Sequence, residues 1–339
     1  MAVSSENLPW LPAGVSHKHS PKPDVCITLG AFFQLDRRLS LERRAAIDGD
    51  GKIPQDLRQI CSTRFFVGRP VSSLVSGLTV VDFKVKDSDR ARGELLDHMD
   101  HVGNLLLEEQ ARLPAAEARN RLVVVRGALI HREGIVLVKC LNRMMIDAVT
   151  VPFDVGGSGT LFGEWMAPSG ALVELYREAL AKLDVHSREP GQCFLGRGAS
   201  GYVFAVNRGS AERAIKIVEG DQAFHNLSQQ QASAKLAGDL AVQSLSVTAL
   251  KAEPSNCSGA VSLLAATGQA FQWGRKTTDP FRIKLFCKGA QLQDFLTVLQ
   301  KLHLHKKICH GDARFANFVK CADGVRLLLL LHVFWTLGY

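Results

Sequence analysis

The sequence predicts a mixed α/β (α+β) chain of two folded domains behind an irregular N-terminus. Three observations predict it. Between residues 56 and 185, alternating β-branched stretches take turns with stretches whose apolar residues recur every three or four positions. A polar run with Pro-Gly in it, "DVHSREPGQC" at 184–193, then breaks the pattern. From 190 to 339, strands and a helix resume around two glycine-marked loops. A length of 339 residues accommodates two ordinary domains, and 46% hydrophobic against 22% charged residues is enough for each to bury a core.

Residues 1–55 read as largely disordered or irregular, because Ser, Pro and His dominate the first 20 without any period. In the first domain, 56–185, "SGLTVVDFKVK" (76–86) alternates and reads as a strand. "RARGELLDHMDHVGNLLLEEQARL" (90–113) has the apolar spacing of an amphipathic helix. "NRLVVVRGALIHREGIVLVKCL" (120–141) reads as two strands turning at 131–134, and "SGALVELYREALAKL" (169–183) as a helix that starts at Ser169. There is no internal repeat.

Composition narrows the function classes. No apolar run reaches the ~20 residues of a membrane helix, and "LLLLLHVFW" (327–335) reads as a buried strand instead. The N-terminus lacks a basic start followed by an apolar stretch, so it is not a secretory signal. The eight cysteines form no C-x-x-C pair, a spread that suits reduced thiols. The net charge of +8 comes without a long Lys/Arg run, so nucleic acid is a weakly supported partner. The expectation is a soluble, intracellular protein with no membrane partner.

The chemistry is concentrated in the second domain. "FLGRGASGYVFAV" (194–206) places Gly196, Gly198 and Gly201 between apolar strands, followed by Val203. "ERAIKIV" (212–218) then supplies Ala214 and Lys216. Glycines at this spacing let backbone N–H groups approach a polyphosphate, and a lysine on the following strand can grip the α- and β-phosphates. A dinucleotide-binding loop uses similar glycines but opens a helix, whereas strands follow here. Further on, "HGDARFAN" (310–317) sets Asp312 and Asn317 five apart, with Arg314 between them. That spacing lets the Asp accept the proton of an acceptor hydroxyl while the Asn holds Mg²⁺. Arg314 is placed to face the transferred phosphate, and His310 to brace the loop. "AQLQDFLTVLQKLHLHKK" (290–307), just before it, has helical periodicity. A zinc site from His303, His305, Cys309 and His310 is a lesser alternative, since no second ligand cluster supports it.

These motifs, in this order, resemble a protein-kinase-like domain over 194 to about 330. The H-G-D form of the loop, with "AVSLLAATGQAF" (260–271) as hinge strand, is most similar to the compact kinase domains of crinkler-type effectors of oomycetes and fungi. The resemblance implies ATP and Mg²⁺ as cofactors. It implies a Ser/Thr hydroxyl of a protein as acceptor, and action on a host protein in the host cell or its nucleus. Such families often carry a restriction-endonuclease-like module in front. Its acid-x-Lys strand has a counterpart in Asp82-Phe83-Lys84, with Glu94 or Asp97 on the next helix as helpers. Its further acid stands near an Arg-Pro or Lys-Pro; here Arg69-Pro70 is followed by Val71 in the acid's place, which marks the module as degenerate.

Three departures set expectations for the kinase-like domain. The helix after Lys216 should offer a Glu to pair with it, but "HNLSQQQASAKLAGDL" (225–240) has Gln230 or Gln231 there. The strand after the catalytic loop should end in a Mg²⁺-binding acid, but 324–339 contains no Asp or Glu. The third is length: the chain reads as truncated after the catalytic loop, without the helices that follow in a whole kinase. Three functions remain open: an ATP-dependent protein kinase, a pseudokinase-type binding module, and a small-molecule kinase of the aminoglycoside or choline type. Arg314 favours the protein kinase over the last.

Overall fold

In the computed structural model the described residues are 2–4, 23–35, 37–52, 54–55, 68–70, 78–111, 123–153, 158–198, 201–253, 256–265, 269–270, 274–275, 285–286, 289–306, 318–321 and 324–327. They form a mixed α/β protein of two units, Met1–Glu174 with Arg188–Phe194, and Leu175–Ser187 with Leu195–Tyr339.

The first unit runs β1 (Ala2–Ser4), β2 (Val25–Ile27), β3 (Phe33–Leu35), α1 (Arg37–Gly49), β4 (Gly68–Pro70), β5 (Thr79–Phe83), α2 (Asp89–Gln110), β6 (Val124–His131), β7 (Gly134–Leu141), β8 (Met144–Pro152) and α3 (Ser158–Met166). Its sheet has the order β1-β2-β5-β6-β7-β8, and β3 pairs with β4 apart from it. Every pairing in that sheet is antiparallel except β5 with β6. A parallel pair needs a long crossover, and α2 supplies it. Alternation along β5 divides its residues between two faces. Val80 packs on one side with Leu95, Met99 and Val102 of α2 and Val125 and Leu129 of β6. Val81 packs on the other with Ala128, Leu137 and Met166, against Phe162 and Trp165 of α3.

The strand, helix and hairpin expected over 76–141 thus form the centre of this unit, and the hairpin turns between His131 and Gly134. Helix α1 and strand β8 were not anticipated. In β8, residues 144–150 are all exposed, so no buried alternation marks them.

The second unit takes α4 (Ala171–Leu183) from Leu175 onward, then β9 (His186–Ser187), β10 (Phe194–Gly198), β11 (Gly201–Arg208), β12 (Ala211–Glu219), α5 (Ala223–Ala237), β13 (Ser244–Ala252), β14 (Cys257–Leu264), β15 (Gln269–Ala270), β16 (Gly274–Arg275), β17 (Leu285–Phe286), α6 (Gly289–Lys306), β18 (Phe318–Cys321) and β19 (Gly324–Leu327). The main sheet has the order β10-β11-β12-β14-β13, with β9 beside β11. Tyr176 of α4 packs on Phe204 with ring centroids 4.8 Å apart, and its hydroxyl donates to Ser187 Oγ at 3.0 Å.

A second cluster joins α5, α6 and the β18–β19 hairpin: Ala234, Ala237, Phe295, Leu302, Phe318 and Leu327 are all buried in it. The rings of Phe295 and Phe318 lie 4.4 Å apart. The segment 307–317 therefore has both flanks fixed in one core. The five cysteines among the described residues are free thiols, as their spacing implies. No helix among the described residues is long and apolar enough to cross a membrane.

Close approach of α2 to the first sheet depends on Gly127. A Cβ at this position would run into the Met99 side chain, with Leu95 Cδ1 at 3.1 Å. Gly127→Val should therefore overpack the core, cost about 1–3 kcal/mol and lower the thermal midpoint of the first unit. Adding Met99→Ala should restore part of the loss, as read by circular dichroism melts.

Candidate functional site

The sequence AIKIV in β12 alternates two kinds of side chain. Ile215 and Ile217 are fully buried on one face. Lys216 and Ala214 take the other face. The register sets Val203 of β11 and Ser262 of β14 directly opposite Lys216, and Leu264 opposite Ala214. Lys216 is 5% exposed. Its Nζ donates to Gln230 Oε1 of α5 at 2.8 Å. Burial pushes its pKa down to about 7.

Gln230 is held in place by its surroundings. The adjacent Gln231 donates from Nε2 to the Ser244 carbonyl at 3.1 Å, which ties α5 to β13. Ser244 Oγ and Ser262 Oγ are 2.7 Å apart. At the far end of α5, Gln243 Nε2 donates to the carbonyls of Ala234 at 2.9 Å and Ala241 at 3.2 Å, which ties the helix end to the stretch before β13. A cavity of about 20 Å³ lies beside Lys216, and its polar walls are Gln230, Gln231, Ser244 and Ser262.

Beside the lysine is an apolar layer. Val203 and Ala214 pack with Leu264, Val242 and, from the β18–β19 hairpin, Val319 and Cys321. The glycines divide by role. Gly201 has φ +145°, and a Cβ there would strike the Ile217 carbonyl oxygen, so the β11–β12 ladder itself requires glycine. Gly196 has nothing within 4 Å of a Cβ position. Gly198 ends β10.

The sheet thus sets Val203 opposite Lys216, with Ala214 on the same face two residues before it, and places Gly201 against Ile217 and Val218. Asp312, Arg314 and Asn317 lie outside the described residues, as do His310 and Cys309. His303 and His305 are exposed in the last turn of α6, and no group of three His, Cys, Asp or Glu among the described residues is arranged to hold a metal. Ser262 was not singled out from the sequence. Its signal was a hydroxyl within the apolar strand AVSLL.

In the first unit, Asp82 is buried, and its Oδ2 lies 3.0 Å from His98 Nδ1. Lys84 Nζ donates to Glu94 Oε2 at 2.6 Å. This bond to Glu94, opposed by partial burial and aided by the charges of Glu94, Asp82 and Asp24, raises the lysine pKa. Asp97 lies against His101 instead, 3.7 Å from its Nδ1. Val71 lies outside the described residues. The structure adds an acid that sequence reading missed. Asp24 accepts the Phe83 N–H at 2.8 Å, and its own N–H points to Asp82 Oδ1 at 3.4 Å. The signal was present as Lys22-Pro23-Asp24, an acid after Lys-Pro, at a distance of 58 residues from Asp82.

No family model matches the chain, and no curated protein matches it. Among solved structures, the kinase domain of PknI from Mycobacterium tuberculosis is 18% identical with a TM-score of 0.26, over 40% of this chain and 56% of that one. The match thus spans little more than half of that domain, and at such a score it adds nothing to the geometry above.

The buried lysine makes stability depend on pH. The unfolded chain keeps this proton to the ordinary value of 10.5, while the folded chain releases it near 7. Unfolding therefore takes up a proton between those values, and stability rises with pH across that window. Lys216→Met removes the term. It should be the more stable protein at pH 7, by up to about 4 kcal/mol, with the gap closing towards pH 10. Denaturant melts of both proteins at several pH values measure it.

Proposed function

We propose that the second unit is a nucleotide-binding module of protein-kinase type. The observation that carries this reading is the position of Lys216. It is a buried lysine on β12, a central strand of its sheet, held from the helix that follows, with Gly196 two strands away in the sheet order. An ammonium deprived of water has much to gain from an anion. The apolar layer of Val203, Ala214 and Val319 suits the flat face of a purine.

In this reading the backbone from Gly196 to Gly201 approaches the ATP phosphates, and Lys216 binds the α- and β-phosphates. Where transfer occurs, Asp312 takes the proton of a protein Ser/Thr hydroxyl as its oxygen bonds to the γ-phosphorus, the bond from that phosphorus to the β–γ bridging oxygen breaks and ADP leaves, and Arg314 faces the transferred group. Magnesium fits these donors poorly. The residue facing Lys216 is an amide, residues 324–339 contain no Asp or Glu, and Asn317 is left as the one ligand the motif supplies. No step here depends on the ion.

A second reading, binding without turnover, is favoured by Gln230. An amide holds the lysine less strongly than a carboxylate does.

Calorimetric titration with ATP tests the first reading. Wild type should bind. Lys216→Met should lose at least tenfold in affinity, as expected for a charged hydrogen bond of roughly 1.5–3 kcal/mol. Gly196→Val should lose affinity with an unchanged melting temperature. Phosphate transfer that Asp312→Asn abolishes identifies an enzyme; binding without transfer identifies a binding module.

A further inference from the structure

We infer that the first unit binds a phosphate group on the α3 face of its sheet, at a site built on Arg126 and Lys139. This stands apart from the nucleotide reading, which concerns the second unit.

Strand register builds the site. Thr79 of β5, Arg126 of β6, Lys139 of β7 and Asp147 of β8 are successive cross-strand partners, so they form one row across the sheet. Val80 and Gly127, the chain neighbours of Thr79 and Arg126, face α2. Alternation therefore turns the row to the α3 side. The adjoining row on that side, Val81, Ala128 and Leu137, is apolar and buried. An arginine directly across from a lysine on one face of a sheet is a repulsive pair.

The protein does not neutralise that pair. Arg126 is half-buried, and its Nη1 donates to the carbonyls of Trp165 at 3.2 Å and Ala167 at 3.1 Å, at the end of α3. Both acceptors are uncharged, and one nitrogen makes both bonds. The edge of the guanidinium formed by Nε and Nη2 has no partner among the described residues. Lys139, also half-buried, has none among them either, and Asp147 is exposed at the end of the row without pairing to it. Burial lowers the Arg126 pKa with no carboxylate to oppose it. Two buried polar groups next to the guanidinium are unpartnered as well. One is the hydroxyl of Thr79, a residue 1% exposed directly across from Arg126. The other is the indole N–H of Trp165, whose carbonyl Arg126 holds.

The donors select the ligand. Nε and Nη2 make a fork that fits two oxygens of one oxyanion. A carboxylate is used up by that fork. A tetrahedral phosphate keeps further oxygens for the Lys139 ammonium and the Thr79 hydroxyl, and turns two repelling cations into a bridged pair.

Calorimetric titration of the full chain with inorganic phosphate, at an ionic strength held constant with chloride, tests this. The expected dissociation constant is about 1 mM or lower. Arg126→Lys keeps the charge and removes the fork. Lys139→Met leaves the bonds to the end of α3 in place. Each should weaken binding roughly tenfold, while Lys216→Met should bind phosphate as wild type does. O-Phosphoserine in the same titration identifies the source: binding equal to that of phosphate supports a monoester as ligand, and binding of inorganic phosphate alone supports the free anion. Absence of saturable binding up to about 10 mM overturns the inference. Binding that Lys139→Met leaves unchanged overturns it too, as does acetate binding as tightly as phosphate. Binding that Lys216→Met abolishes puts the phosphate in the second unit and overturns it as well.

Discussion

The bond from Lys216 Nζ to Gln230 Oε1 is the constraint around which the second unit is arranged. A lysine 5% exposed loses most of its hydration, and a neutral amide returns only part of what is lost. The fold tolerates this because the surroundings are rigid. Ile215 and Ile217 fix the strand from behind. Gln231 and Gln243 fix the helix at two points, on β13 and at its own C-terminus. A buried charge kept under these conditions is poised for an external anion, and its depressed pKa expresses the same fact in protons.

The first unit shows the opposite use of charge. Lys84 has a carboxylate partner in Glu94, and Asp82 has His98. These pairs join the end of β5 to α2, the two elements that make the parallel crossover. They act as a strut between strand and helix. Asp24 joins the group: its N–H points to the Asp82 carboxylate, and its own carboxylate accepts the Phe83 N–H, which fixes the start of β2 against β5.

How much could be read beforehand follows from the range of each interaction. Helix α2 and strands β5 to β7 were legible because each buries one regular face, and periodicity reports that directly. Gln230 was legible as a departure from a local motif. Strand β8 was not, because its residues 144–150 face solvent on both sides and carry no burial pattern. Asp24 was missed because its partner lies 58 residues away, where only strand pairing brings them together. Ser262 was missed for a similar reason: what makes it notable is the register that sets it opposite Lys216. Gly201 looked like a phosphate-loop glycine from the sequence, and the structure gives it a different necessity, the carbonyl of Ile217 behind it.

The central claim is that Lys216, whose pKa burial lowers to about 7, takes up a proton when a phosphate arrives. Proton uptake on nucleotide binding tests this most directly. Calorimetric titration of ATP at pH 8, in buffers of different ionisation enthalpy, counts the protons. The account predicts uptake of about one proton per ATP bound in wild type, and none in Lys216→Met at concentrations where it still binds. Binding by wild type at pH 8 with no proton uptake would contradict it.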